Sequence, residues 1–257
     1  MRDEGMRDEV RAEYLSPAEL DSALAATAVA YLPLGTLEFH SSHLPIGLDA
    51  LTAHGLCVAS ARHNGGIVLP PLYQGTGGGH AEYPWTIMMH SAAGIRSHLE
   101  QTLQRLEALG VRLAVLFTGH FADEQLTMID TIAADWAVAG SDRGTHTMRV
   151  FATAVNRCGT APIAPDHAGV FETTLLHALW PQLVHVDRLP ALSEHAAIDP
   201  GDNDQGPQRH DPEHPLWGIF GPDPRDLDLS ASAALLDALV AWLGGEVTAR
   251  TADFDYR

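Results

Sequence analysis

The 257-residue chain contains no lysine, and all 15 of its basic residues are arginine. Schiff-base chemistry, which needs a lysine amine, and a P-loop, which needs a lysine on the phosphates, are therefore excluded. Cysteine is nearly as scarce. Cys57 and Cys158 lie far apart and outside any Cys-x-x-Cys pair. Neither a disulfide framework nor a thiolate zinc site is indicated, and a reducing cytoplasm fits. Positive charge is also in short supply, because 33 acidic residues face the 15 Arg for a formal net charge of −18. Nucleic acid and anionic membrane surfaces are poor partners for such a chain. No stretch reaches the roughly 18 uninterrupted apolar residues of a membrane span, and the segment from Met1 to Arg11 is charged where a secretory leader would be apolar. No Gly-x-Ser-x-Gly elbow supports a serine hydrolase. These absences predict a soluble cytoplasmic protein with no membrane partner.

The remaining composition, 46% hydrophobic and 19% charged, is that of a globular protein, and the length allows one α/β domain with a substantial core. Ser16-Pro17-Ala18-Glu19 opens a helix with a cap, a proline at the first helical position and a Glu three residues after the cap. Short apolar runs at 29–35, 67–72, 112–118 and 147–155 predict strands. Helical spacing at 51–62, 91–109, 123–139, 169–179 and 230–243 predicts helices between and after them. The alternation predicts an α/β fold, a largely parallel central sheet flanked by helices. No composition shift divides the chain, so a single domain over 1–257 is expected, with 1–14 as a flexible N-terminal tail. Residues 193–217, crowded with Asp, Pro, His and Gly, exceed the ~12–15 residues usual for a structureless loop and read as a functional flap or a contact between subunits.

The chemistry gathers after the first strand. Glu38 and His40, two apart in extended chain, present a carboxylate and an imidazole to one side, and Asp49 can return to them from the following loop. Carboxylate oxygen and neutral imidazole nitrogen suit Zn(II), Mn(II) or Fe(II), and a carboxylate can bridge two such ions. Any one of these residues alone reads more simply as a solvated loop side chain. However, His120 follows the strand 112–118 directly, at the edge where open parallel sheets keep their sites, and His167 and Glu172 stand at the start of a helix. The run Gly75-Thr76-Gly77-Gly78-Gly79-His80 lacks the lysine and spacing of a phosphate loop and reads as a flexible loop near the substrate. His210 and His214 have i, i+4 spacing, but Pro212 and Pro215 disfavour the helix such a metal pair needs. Trp180, Trp217 and Trp242 read as core or interface.

In these motifs the sequence resembles the creatininase family of metal-dependent amidohydrolases. The family signature Glu-x-His-Gly-x-His-Leu-Pro followed by Asp is in register from Glu38 to Asp49, with Ser41 in place of the usual Gly. Gly119-His120 matches the family's central Gly-His, and His167-Ala168-Gly169 with Glu172-Thr173 matches its His-Ala-Gly-x-x-Glu-Thr block. Weaker echoes run from His80 to Thr86 and from Gly218 to Gly221, so the likeness spans roughly residues 28–243. The resemblance implies a creatininase-like fold, two divalent metal ions per subunit (Zn, Mn or Fe), and a ring-shaped homo-oligomer, a hexamer or a trimer. It places Glu38, Asp49 and His120 on one ion and His40 and Asp49 on the other, with Asp49 as the bridge.

A metal-activated water would attack an amide carbonyl while His167 donates a proton to the departing nitrogen. In creatininase a second-ion Glu stands two residues after the central His. Here that position is Ala122, and Glu172, a catalytic candidate beside His167, is the expected replacement ligand. Asp123 and Glu124 are expected only to complement a helix dipole. Ser41 and Trp85, each where the family has Gly, imply a reshaped pocket, with His80, Tyr83, Trp85 and Phe121 as candidate substrate contacts and His43 orienting a ligand from behind. The expected function is hydrolysis of a carbon–nitrogen bond of a small cyclic amide or formamide. The alternatives are a metal-dependent isomerase or lyase, a peptidase-like member acting on a modified peptide, and a scaffold without activity.

Overall fold

The computed structural model describes residues 9–78, 83–143, 147–196 and 206–254. Four strands, β1 (Val29–Leu34), β2 (Ile67–Val68), β3 (Leu113–Thr118) and β4 (Arg149–Ala154), form one sheet in the order β2-β1-β3-β4. Every pairing is parallel. β1 and β3 read Val-Ala-Tyr-Leu-Pro-Leu and Leu-Ala-Val-Leu-Phe-Thr and are buried at all six positions, the pattern of strands covered on both faces. Alternate side chains serve opposite layers. Val29, Tyr31, Leu113, Val115 and Phe117 pack against α2 (Leu48–Asn64), α5 (Val170–Leu179) and α7 (Ser232–Thr251). Ala30, Leu32, Leu34, Ala114 and Leu116 pack against α1 (Pro17–Ala26), α3 (Ala92–Ala108) and α4 (Asp123–Arg143).

Leu34 lies opposite Thr118, and Thr118 opposite Ala154, so three strands end level at one edge. The segments that follow them emerge together there. A third apolar cluster of Leu44, Leu48, Ala168, Leu176, Leu189, Leu216 and Ile219 binds the loops of this edge to one another.

Several elements depart from the sequence expectations. α2 begins three residues before position 51 and so takes Asp49 into its first turn. The run 67–72 yields only two strand residues, because Pro70 and Pro71 bring no N–H to the ladder. Leu69 and Leu72 still donate to the carbonyls of Tyr31 and Pro33. α7 passes through Gly244 and Gly245 to Thr251. The stretch Leu229–Thr251, of mean hydropathy 1.2, is long and apolar enough to cross a membrane by length and composition alone. Its Leu235, Leu239, Leu243 and Val247 are buried in the core. The tail expectation is corrected from residue 9 onward, while residues 1–8 lie outside the described residues. Val10 is buried, its carbonyl accepts from Val68 N at 2.8 Å, and the Arg11 guanidinium is held by Glu9 at 2.7 Å. An apolar side chain at the end of β2 gives this segment a reason to dock.

Candidate metal centre

Beyond Leu34 the chain leaves the sheet and folds back on itself, with Glu38 N donating to Ile46 O at 2.8 Å. Ser41 sits at φ +58°, a left-handed conformation that glycine adopts without steric cost, which explains why a glycine suits this point of the signature. Asp49 is carried by α2, whose first turn lies hard against the ends of β1 and β3. A Cβ on Gly119 would collide with the Asp49 carbonyl, and one on Gly35 with the Ala50 amide. Two glycines at level strand ends thus let the helix start close enough for Asp49 to reach its partners.

Glu38, His40, Asp49, His120 and Glu172 converge here, none more than 4% exposed. His40 Nδ1 donates to the Glu38 carbonyl at 3.0 Å, which turns Nε2, the nitrogen that would offer a lone pair once deprotonated, to Asp49 Oδ1 at 3.2 Å and Glu172 Oε2 at 3.6 Å. His120 Nε2 donates to the Thr76 carbonyl at 3.3 Å, which turns Nδ1 to Glu38 Oε2 at 2.9 Å and Asp49 Oδ2 at 3.4 Å. Asp49 therefore offers one oxygen to each histidine. Glu172 stands in the first turn of α5, and its Oε2 accepts from Ala168 N at 2.6 Å. Asp166 caps that helix by accepting from Gly169, Phe171 and Glu172, and burial pushes its carboxyl up to about 7.

The donor atoms form groups within 4.8 Å: Glu38, Asp49 and His120; His40, Asp49 and Glu172; and Glu38, His40 and His167. His40 Nε2 and Asp49 Oδ2 are buried without a hydrogen bond, a cost of about 1–3 kcal/mol each that a divalent ion between them would remove. The residues present fit such ions, in donor chemistry as in placement. Burial alone would lower the His40 pKa, but the Asp49 and Glu172 carboxylates outweigh it and raise the imidazole to about 10. His120 is raised well above the ordinary histidine value, against its burial, by Asp49 and Glu38. Burial raises the Glu172 carboxyl well above its usual range, with His40 opposing.

His43 meets none of these groups. Its Nε2 lies 3.0 Å from Thr173 Oγ1, next to Glu172, and burial with the neighbouring His40 charge pushes it down to about 3. His167 is partly exposed at the centre's mouth, with Nε2 donating to the Phe39 carbonyl at 3.1 Å and its ring stacked on His40 at 4.3 Å. Four of the five converging residues, all but His40, join His167, Phe121, Ala122 and Arg209 around a cavity of about 230 Å³.

His80 lies outside the described residues. Tyr83 and Trp85, expected as substrate contacts, are not among the described residues that line this cavity. They pack with Phe39 and Trp217 at ring separations of 4.9–5.8 Å, because loop aromatics bury more area against one another than against a polar centre. Phe121 does line it. The expectation that Asp49 comes from a loop is likewise corrected to the first turn of α2. Glu124 ties the glycine loop by accepting from Gly78 N at 3.2 Å. His214 Nδ1 accepts from Leu216 N and joins no metal-ligating group among the described residues. Sequence reasoning missed Arg209, in the short helix α6 (Pro207–His210), whose one signal was being the single arginine within 193–217.

A sequence profile of the creatininase family, described as creatinine amidohydrolase, matches residues 13–246. Creatinine amidohydrolase of Pseudomonas putida is 28% identical over 182 residues, covering 64% of this chain and 69% of that protein. Mycofactocin precursor peptide peptidase of Mycobacterium ulcerans is 29% identical over 169 residues, covering 62% of each, less than two thirds of that protein's length. Solved creatininase structures share the fold. The manganese form superposes with a TM-score of 0.76 at 23% identity, covering 94% of this chain and 98% of that one. A zinc–zinc form of a mutant gives 0.74 at 22% identity, covering 95% and 99%.

Proposed function

Because the chain belongs to the creatininase family, hydrolases of carbon–nitrogen bonds other than peptide bonds, we propose that it hydrolyses a small cyclic amide or formamide at the centre described above. The observation that carries this reading is the division of the two Asp49 oxygens between His40 with Glu172 and His120 with Glu38. Two divalent ions of the Zn, Mn or Fe type, when bound, would polarise the substrate carbonyl and acidify a water. Glu38, Asp49 and His120 would hold one, and His40, Asp49 and Glu172 the other, with Glu172 supplying the carboxylate that Ala122 lacks. The carbonyls of Glu38 and Thr76 lock the two imidazoles with their lone pairs inward. His167, held through Nε2 by the Phe39 carbonyl at the mouth of the centre, would carry a proton to the departing nitrogen.

The likeness to the mycofactocin precursor peptide peptidase supports a second reading, cleavage of a modified peptide, but a cavity of about 230 Å³ suits a small molecule better. We place the protein in the cytoplasm, in keeping with two buried free cysteines, and expect a single-domain homo-oligomer. Metal analysis of gently purified protein, with a mass-spectrometric screen of cyclic amides and formamides, tests the reading. Stoichiometric metal and products heavier by one water are expected. Products of unchanged mass would indicate an isomerase, and Asp49→Ala retaining full metal would refute the bridge.

A further inference from the structure

Arg209 is the one side chain of fixed positive charge among the described residues that line the cavity. Its guanidinium lies over the Phe220 ring, 4.5 Å from the centroid. That ring stacks on His167 at 5.2 Å and His167 on His40 at 4.3 Å, so four planar groups lead from Arg209 to a candidate metal ligand. The backbone around it is tied as firmly. The Arg209 carbonyl accepts from the Tyr83 hydroxyl at 3.1 Å, and the Gln208 carbonyl accepts from Gly218 N at 2.8 Å. Tyr83 and its aromatic neighbours, which do not line the cavity, thereby hold the residue that does.

A guanidinium lying over an aromatic ring keeps its N–H donors in its own plane, the geometry that matches the two oxygens of a carboxylate. On the hydrolytic reading, Arg209 lines the same cavity as Glu38, Asp49 and Glu172, so a substrate held at the centre also faces this positive charge. We propose that Arg209 binds a carboxylate of the substrate, so that the compounds hydrolysed are small amides or formamides carrying a carboxylate near the scissile bond. This rests on the function proposed above, and the cavity has room for both groups of a small molecule at once.

Two probe pairs differing only in charge test it on the metal-loaded protein: pyroglutamate with its amide, and N-formylglycine with its amide. Both kcat/KM and calorimetric binding are measured for each member. The wild type is expected to favour the carboxylate members about 100-fold. Arg209→Gln should collapse that ratio by about 10- to 100-fold, the worth of a charge-assisted bidentate pair, and Arg209→Lys should keep part of it, having the charge without the fork. Metal content and thermal midpoint verify that the variants fold. A preference that survives in Arg209→Gln belongs to the metal ions and overturns the proposal, as does a wild type that neither favours nor selectively binds the carboxylate members. If no probe is turned over but carboxylate-selective binding disappears in Arg209→Gln, the role of Arg209 stands and hydrolysis of these compounds falls.

Discussion

At the scale of single residues, His167 and Glu172 separate two jobs that share one sequence block. Glu172 is buried beside His40 and Asp49, whereas His167 is partly exposed and tied through Nε2 to a backbone carbonyl. A metal-bound imidazole cannot cycle a proton, so His167→Ala should keep both metals and lose about 100-fold or more in turnover. Glu172→Ala should lose about half the metal along with activity. Elemental analysis beside kinetics reads both, and the reverse pattern would exchange the roles. Proton linkage offers a second check. His40 in the metal-free protein titrates at about 10 against an ordinary 6.5. A raised value means that its charged form stabilises the metal-free fold fully below about 6.5, and that this support is lost as pH climbs towards 10. Metal uptake at pH 8 should therefore displace the proton that His40 holds. Calorimetry in buffers of different ionisation enthalpy would detect it, and the release should decline as pH nears 10.

At the scale of elements, the centre depends on how closely α2 approaches the sheet. Gly119 and Gly35 permit that approach, and a methyl group at either would meet backbone that cannot swing aside. Gly119→Ala should displace the first turn of α2, weaken metal binding at both positions together, and cost about 1–3 kcal/mol of stability from overpacking. Metal titration with denaturant unfolding checks this. A variant that unfolds earlier yet binds metal normally would show that Asp49 does not need the contact. Leu239→Ala, in the buried row of α7, should instead cost about 2–5 kcal/mol while leaving metal affinity unchanged.

At the scale of the whole molecule, a net charge of −18 per chain sets a condition on the proposed assembly. Copies must associate against mutual repulsion, so salt should favour the oligomer by screening it. Light scattering coupled to gel filtration should return a multiple of 27.6 kDa that grows or holds as salt rises. Dissociation by salt would point to charge-paired interfaces, and a monomer would reject the assembly.

The sequence alone determined the parallel α/β layering, because the buried strands are continuous apolar runs and the helices carry caps and 3.6-residue spacing, both local properties. It also pointed to the candidate site residues, because Glu38, His40, His120, His167 and Glu172 stand at ends of elements where chain direction alone makes side chains gather. Tertiary structure decided the rest. Asp49 reads as loop until α2 is seen to begin against Gly35 and Gly119, since helix starts depend on the room that neighbouring elements leave. The tail reads as free until Val10 finds the sheet edge. Arg209 carries no local pattern at all. It lines the centre only because the chain from Gly206 to Phe220 returns to the level strand ends, a contact about 170 residues from Glu38 that periodicity and spacing do not encode.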